Sequence, residues 1–198
     1  MKIIGITGPT GAGKSTLTAA FAREGALIID ADRLAREVVQ VGEPCLAALA
    51  EAFGDDILLA DGSLDRAALA AKAFASPEKT ALLNHITHPF VIERSHRLLD
   101  ASTAAIAVID APLLFESGMD ALCDETIAVV CAREERLSRI MARDGIDEAR
   151  ATTRMNAQPD DTFYLARATH TMRNEGDAAA FEATAEAVAR QTAAEVSR

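Results

Sequence analysis

Short apolar, β-rich runs recur along the chain at Lys2–Thr7, Ala26–Ile29, Ala105–Ile109 and Glu125–Cys131, with a weaker one at Ala168–Met172. Each is followed or preceded by helix-forming sequence. Strands alternating with helices predict a parallel sheet covered on both faces. About 75 residues separate the second run from the third, and they lack a good strand. Helical patterns fill that gap at Arg33–Val41, Cys45–Phe53, Arg66–Phe74 and Pro77–Asn84, so it reads as a helical insertion over about 33–100. A second interruption, at about 139–163, is charged, arginine-rich and broken by Gly145 and Pro159. That composition suits a mobile lid better than a core element. The Ala-rich stretch Asp177–Val196 predicts a terminal helix. The expected organisation is one α/β domain over residues 1–198, a five-stranded parallel sheet flanked by helices and carrying the insertion and the lid.

The turn after the first run changes the picture most. Residues 8 to 15 read Gly-Pro-Thr-Gly-Ala-Gly-Lys-Ser, matching G-x-x-x-x-G-K-[ST], with a strand before it and the helix-forming run Thr16–Arg23 after it. Glycines at this spacing let the backbone curl so that successive N–H groups point at phosphate oxygens, and the helix N-terminus adds partial positive charge. The alternative, a Gly-rich turn holding a lysine by chance, does not account for strand, turn and helix all in register. The motif predicts an ATP- or GTP-binding P-loop, Lys14 contacting the β/γ-phosphates and Ser15 ligating magnesium. It does not say what receives the phosphate.

Acidic residues at the ends of later runs suggest an answer. Asp30 and Asp32 follow the second run, where ligands bind in open α/β sheets. At i and i+2 of an extended segment they point the same way. One of them can take a proton from an attacking substrate hydroxyl, the alternative being a cap on the next helix; Asp32 is read as the base and Asp30 as the cap or an orienting group. Asp110 ends the third run before Ala111-Pro112, a position suited to magnesium, directly or through water, or to a plain turn. Arg136, Arg139 and Arg143 fall near one face of a helix that begins near Ala132. Such a row is usually a solvated surface. Here it leads into the lid with few acidic partners on its face, and lid arginines gripping ATP phosphates are the reading it favours, with Arg154 in the same clamp. His85, His88, His96 and His170 show no metal-ligand spacing.

Composition narrows the classes further. The chain is 49% hydrophobic, 25% charged and 4% aromatic, which excludes disordered and collagen-like chains. No apolar run approaches the ~20 residues of a membrane span, and the N-terminal run is too short for a secretory signal, so a cytoplasmic protein is expected. Cys45, Cys123 and Cys131 form no Cys-x-x-Cys pair and are read as free thiols. A net charge of -10 argues against nucleic acid as a partner. Residues 133 to 173 depart from that average with eight arginines against seven carboxylates, an excess suited to a small anionic ligand. Strand order and oligomeric state stay open, a monomer being compatible with the pattern.

With these pieces placed, the sequence closely resembles the dephospho-CoA kinases, P-loop kinases that complete coenzyme A synthesis. The resemblance spans roughly Ile3 to Asp177. It is carried by Ile29-Asp30-Ala31-Asp32, Ala35-Arg36-Glu37-Val38-Val39 with Gly42, Phe53-Gly54, Asp61-Gly62-Ser63-Leu64-Asp65-Arg66, Leu83-Asn84 and His88-Pro89. Farther on come Pro112-Leu113-Leu114-Phe115-Glu116, Arg139, Arg143, Arg154 with Gln158, and Asn174 with Gly176. The family's usual Ala-Asp pair and apolar strand are replaced here by Ala168-Thr169-His170-Thr171-Met172-Arg173-Asn174.

The resemblance implies transfer of the ATP γ-phosphate, with Mg2+, to the ribose 3′-hydroxyl of dephospho-CoA, giving CoA and ADP. It implies a catalytic set of Asp32 as base, Lys14, Arg139 and Arg143. Nucleotide contacts are implied at Gly8, Gly11, Ala12, Gly13, Lys14, Ser15, Thr16, Asn174 and Gly176, and metal contacts at Ser15 and Asp110. Acceptor contacts are implied at Asp30, Arg36, Arg66, His88, Pro112, Leu113, Glu116 and Gln158, the insertion holding the acceptor. A GTP-dependent switch would need Asn-Lys-x-Asp at a late strand end, and Asn174-Glu175-Gly176-Asp177 lacks the lysine. A kinase of nucleoside monophosphates or shikimate would not carry the Asp30/Asp32, His88-Pro89 and Pro112–Glu116 set.

Overall fold

The computed structural model describes residues 1–196. In chain order the elements are β1 (Lys2–Thr7), α1 (Lys14–Arg23), β2 (Leu27–Asp30), α2 (Ala31–Glu37), α3 (Pro44–Phe53), α4 (Arg66–Ala73) and α5 (Pro77–Asp100). They continue with β3 (Ile106–Asp110), β4 (Glu125–Val130), α6 (Arg133–Asp144), α7 (Glu148–Asn156), α8 (Asp161–Leu165), β5 (His170–Arg173) and α9 (Ala178–Val196). They divide into two compact units, one of Met1–Ile29 with the chain from Ser102 onward, the other Asp30–Ala101.

The first unit holds a five-stranded parallel sheet in the order β2-β3-β1-β4-β5. β1 is central, with Ile6 opposite Asp110 of β3 and opposite Ile127 of β4. β1 and β4 are apolar almost throughout, as strands covered on both faces must be. Ile4, Ile6, Val108, Ile127 and Val129 pack with Leu17 and Phe21 of α1 and with Phe181, Ala185 and Ala189 of α9. The small residues of α9 let it lie close to α1.

β5 begins two residues later than its sequence pattern predicts. Thr169 does not extend the strand but exchanges side-chain hydrogen bonds with Thr126. The amide of Thr126 donates to Thr169 Oγ1 at 2.8 Å, and the amide of Thr169 donates to Thr126 Oγ1 at 3.0 Å. Only Met172 of this edge strand is buried, which is why its pattern was weak.

The segment expected as a lid is helical. α6 and α7 close over Ile140, Ala151 and Met155, with Leu137, Met141 and Ile146 beside them. Asp147 and Asp160 cap α7 and α8 by accepting from Arg150 N and Phe163 N.

The second unit is helical, and each start has a local cause. Asp30, Asp65 and Ser76 cap α2, α4 and α5, and Pro44 and Pro77 sit at the first turns of α3 and α5. α5 corrects one expectation: it does not stop near Asn84 but runs through Pro89 to Asp100. An interior proline costs about 3 kcal/mol. Burial of Val91, Ser95 and Leu99 on the far side of it, against α2 and α3, holds the helix together beyond the proline.

Candidate active site

The phosphate-binding turn leaves the carboxyl end of β1 and becomes α1 at Lys14. Gly8 has φ +133, and a Cβ there would lie 2.1 Å from the Val129 carbonyl oxygen of β4, so no other residue fits. Gly13, at φ +104, is closed in from outside: a Cβ would stand 2.2 Å from Asn174 Nδ2. Lys14 Nζ donates to the Gly8 carbonyl at 2.7 Å, which places the ammonium over the turn.

Side chains from distant segments secure the outer side of the turn. Thr10 N–H donates to Gln158 Oε1 at 2.8 Å, and Thr10 C=O accepts from Arg136 Nε at 3.1 Å. Gly11 C=O accepts from Arg139 Nη1 at 3.5 Å, and Ala12 C=O accepts from Asn174 Nδ2 at 2.8 Å. Asn174, 5% exposed, stands just beyond β5, where its own amide donates to Val130 O.

Three of the predicted arginines meet three fates. Arg136 is 5% exposed, salt-bridged to Asp161 at 3.2 Å and bonded to the Thr10 carbonyl, so its guanidinium is engaged by the protein itself. Its expected place in a phosphate-gripping row is therefore corrected. Burial pushes its pKa down, while Asp161 and Tyr164 oppose that shift. Arg139 reaches Glu135 at 3.0 Å and Asn174 at 3.4 Å. Arg143 is exposed and shares Asp144 with Arg154, and this pairing holds the Asp144 carboxyl below the usual carboxylate range.

Asp110 ends β3, and its Oδ2 accepts from Thr18 Oγ1 at 2.7 Å. Ser15 and Thr16 lie in the first turn of α1, Thr16 N donating to the Gly13 carbonyl. Pro112 O accepts from Thr7 Oγ1 at 3.3 Å, Leu113 and Glu116 are exposed, and Gly176 N donates to Glu135 Oε1 at 3.4 Å. The structure thus gathers Gln158, Arg139 and Asn174 directly on the turn.

In the second unit, Asp30 caps α2 by accepting from Arg33 N at 2.9 Å, which is one of the two roles expected for it. Asp32 and Arg36 are exposed on the same helix, Arg66 opens α4, and His88 is half-buried in α5. Burial lowers the His88 pKa. Sequence reasoning missed Thr18, Glu135 and Asp161. Thr18, one helical turn after Lys14, is the one with a usable signal, since i and i+4 share a face.

A G-x-x-x-x-G-K-S turn between the central strand of a parallel sheet and its helix, with an acidic residue ending the neighbouring strand, defines a P-loop nucleotide-binding protein. The comparisons specify it further. The family model described as dephospho-CoA kinase matches residues 2–180. Dephospho-CoA kinase of Corynebacterium glutamicum is 47% identical over 176 residues, covering 87% of this chain and 88% of the relative. That of Moorella thermoacetica is 44% identical over 191 residues, covering 94% and 90%. The solved dephospho-CoA kinase of Campylobacter jejuni superposes with a TM-score of 0.72 at 26% identity, covering 98% of this chain and 99% of that one. The chain belongs to the dephospho-CoA kinase family, ATP-dependent kinases acting at the last step of coenzyme A biosynthesis.

Proposed function

We propose that the chain carries out this reaction on the ribose 3′-hydroxyl of dephospho-CoA, with Asp32 as the general base and the turn from Gly8 to Thr16 as the seat of the ATP phosphates. The observation that carries the reading is the turn itself: the Thr10, Gly11 and Ala12 carbonyls are tied to Arg136, Arg139 and Asn174, and the Thr10 N–H to Gln158, which fixes a glycine-rich turn of the kind that binds phosphate at a helix N-terminus.

Lys14 follows the γ-phosphoryl group as it moves, exchanging its bond to the Gly8 carbonyl for phosphate oxygens. Arg139 and Arg143 neutralise charge that builds on the transferring group. Asp32 takes the hydroxyl proton as the oxygen attacks. The other acceptor contacts are assigned to Asp30, Arg36, Arg66, His88, Pro112, Leu113, Glu116 and Gln158, with the 33–100 insertion as the acceptor-holding part and 139–163 as the lid. Asn174 and Gly176 complete the nucleotide site. These roles rest on the family resemblance together with the positions given above.

The Ser15 hydroxyl and the Asp110 carboxylate would hold Mg2+. Two hard oxygen donors, only one of them charged, fit an ion that keeps most of its shell for water and phosphate. When bound, the ion neutralises phosphate charge. A cytoplasmic setting belongs to the same reading, supported by three free cysteines; neither nucleic acid nor a membrane is a partner in it.

The test is ADP release from ATP and magnesium with and without dephospho-CoA, with Lys14→Ala as control. Saturable, acceptor-dependent release absent from the variant is expected. ATP binding with no response to dephospho-CoA would overturn the acceptor assignment.

A further inference from the structure

Among the described residues, Arg136 is the buried side chain that carries a charge. Its guanidinium bridges two segments: Nε donates to the Thr10 carbonyl at 3.1 Å and Nη1 to Asp161 Oδ1 at 3.2 Å, in the first turn of α8. The preceding peptide group of the turn is also held, where Thr10 N–H donates to Gln158 Oε1, just before α8. Thr10 therefore has both backbone groups bonded to the 133–165 segment, and neither to its own loop.

A buried guanidinium is retained at such a place only if its hydrogen bonds are made, because leaving one end unpaired costs more than the pair gains. Arginine suits the task because its planar fork holds two acceptors in a fixed geometry, where a lysine offers rotatable donors on a single point charge. Tyr164 packs in the same region, buried and edge-on to Phe163, whose ring in turn meets Phe115 edge-on. α8 is thereby anchored by packing as well as by the ion pair.

We propose that Arg136 is a positioning residue that mechanically links the phosphate-binding turn to α7 and α8, so that nucleotide at the turn and order in 148–165 favour each other. The link runs Thr10–Arg136–Asp161 on one side and Thr10–Gln158 on the other. Coupling of this kind is reciprocal: what phosphate does to 148–165, the segment does to phosphate affinity. The inference rests on the turn being the nucleotide seat.

The experiment is hydrogen exchange on the full chain with and without saturating ADP, alongside steady-state kinetics, for the parent, Arg136→Met, Arg136→Lys and Asp161→Asn. In the parent, ADP is expected to slow exchange both at 8–16 and at 148–165. In Arg136→Met, saturating ADP should still protect 8–16 but no longer 148–165. KM for ATP should rise about tenfold, while kcat and KM for dephospho-CoA shift less than about threefold. Arg136→Lys and Asp161→Asn should fall between, and they carry the test should Arg136→Met not fold. Protection of 148–165 that survives in the variants, or an equal loss in all kinetic parameters, overturns the proposal while leaving the nucleotide seat intact. If ADP protects nothing at 8–16 in the parent, the reading of the turn fails first.

Discussion

Asn174 and Gly13 exclude one another's alternatives: the asparagine amide donates to the Ala12 carbonyl at 2.8 Å, and occupies the space any Cβ on Gly13 would need, 2.2 Å from its Nδ2. Gly13→Ala therefore meets two penalties, a left-handed φ of +104 and a collision with a buried side chain. It should abolish measurable ATP binding by calorimetry. Asn174→Ala leaves the loop geometry allowed but orphans a carbonyl, so ATP affinity should drop about tenfold, with the fold retained. Equal effects of the two would show that strain in the turn is not the controlling factor.

Asp32→Asn keeps the shape of the first turn of α2 while removing the base. Turnover should fall by about 10² to 10⁴-fold with ATP affinity nearly unchanged. Single-turnover measurement at saturating substrates is the direct check. Intact turnover would assign the proton to another group.

Among the described residues, Arg143 is exposed and bonded to its neighbour Asp144, a partner it shares with Arg154. Little has to break for it to turn toward phosphate. Arg143→Ala is expected to lower kcat by up to about 10³-fold, as loss of a charge-stabilising arginine does in phosphoryl transfer. A rise in KM alone, with kcat kept, would make it a ground-state binding residue instead.

His88 has a pKa lowered by burial within α5. The unfolded chain then binds the proton more readily than the folded one, so stability is present above about pH 6.5 and declines as pH falls toward the folded value. Urea unfolding between pH 7 and 5 should show that decline, and His88→Gln should flatten it. An unchanged slope would assign the loss to carboxylates.

What the chain discloses of itself follows the range of the interactions. The strands β1 to β4 and the P-loop are legible because each depends on residues within one turn of itself. α5 is misjudged in length because Pro89 is a strong local breaker, and only packing of Val91, Ser95 and Leu99 overrides it. Arg136 and Arg139, three apart on one helix, look alike in sequence. What separates them lies beyond the helix: Arg136 pairs with Asp161, 25 residues on, and is buried, whereas Arg139 pairs with Glu135 on the helix itself. Likewise Asn174 meets its partner Ala12 across 162 residues. No periodicity carries such information.

The central position of β1 has a consequence for how the protein comes into being. Lys2 pairs with Ile106, and Ile4 with Glu125, so β1 gains its flanking strands only after the chain as far as β4 has been made. Until then an apolar strand and its glycine-rich turn wait without neighbours while Asp30–Ala101, a separate compact unit, is already complete in sequence. Pairings this remote are slow to close and leave a sticky edge in the interval. Substitutions that weaken β3 or β4 should thus first appear as lost yield at elevated growth temperature, before any defect is seen in the molecules that do mature.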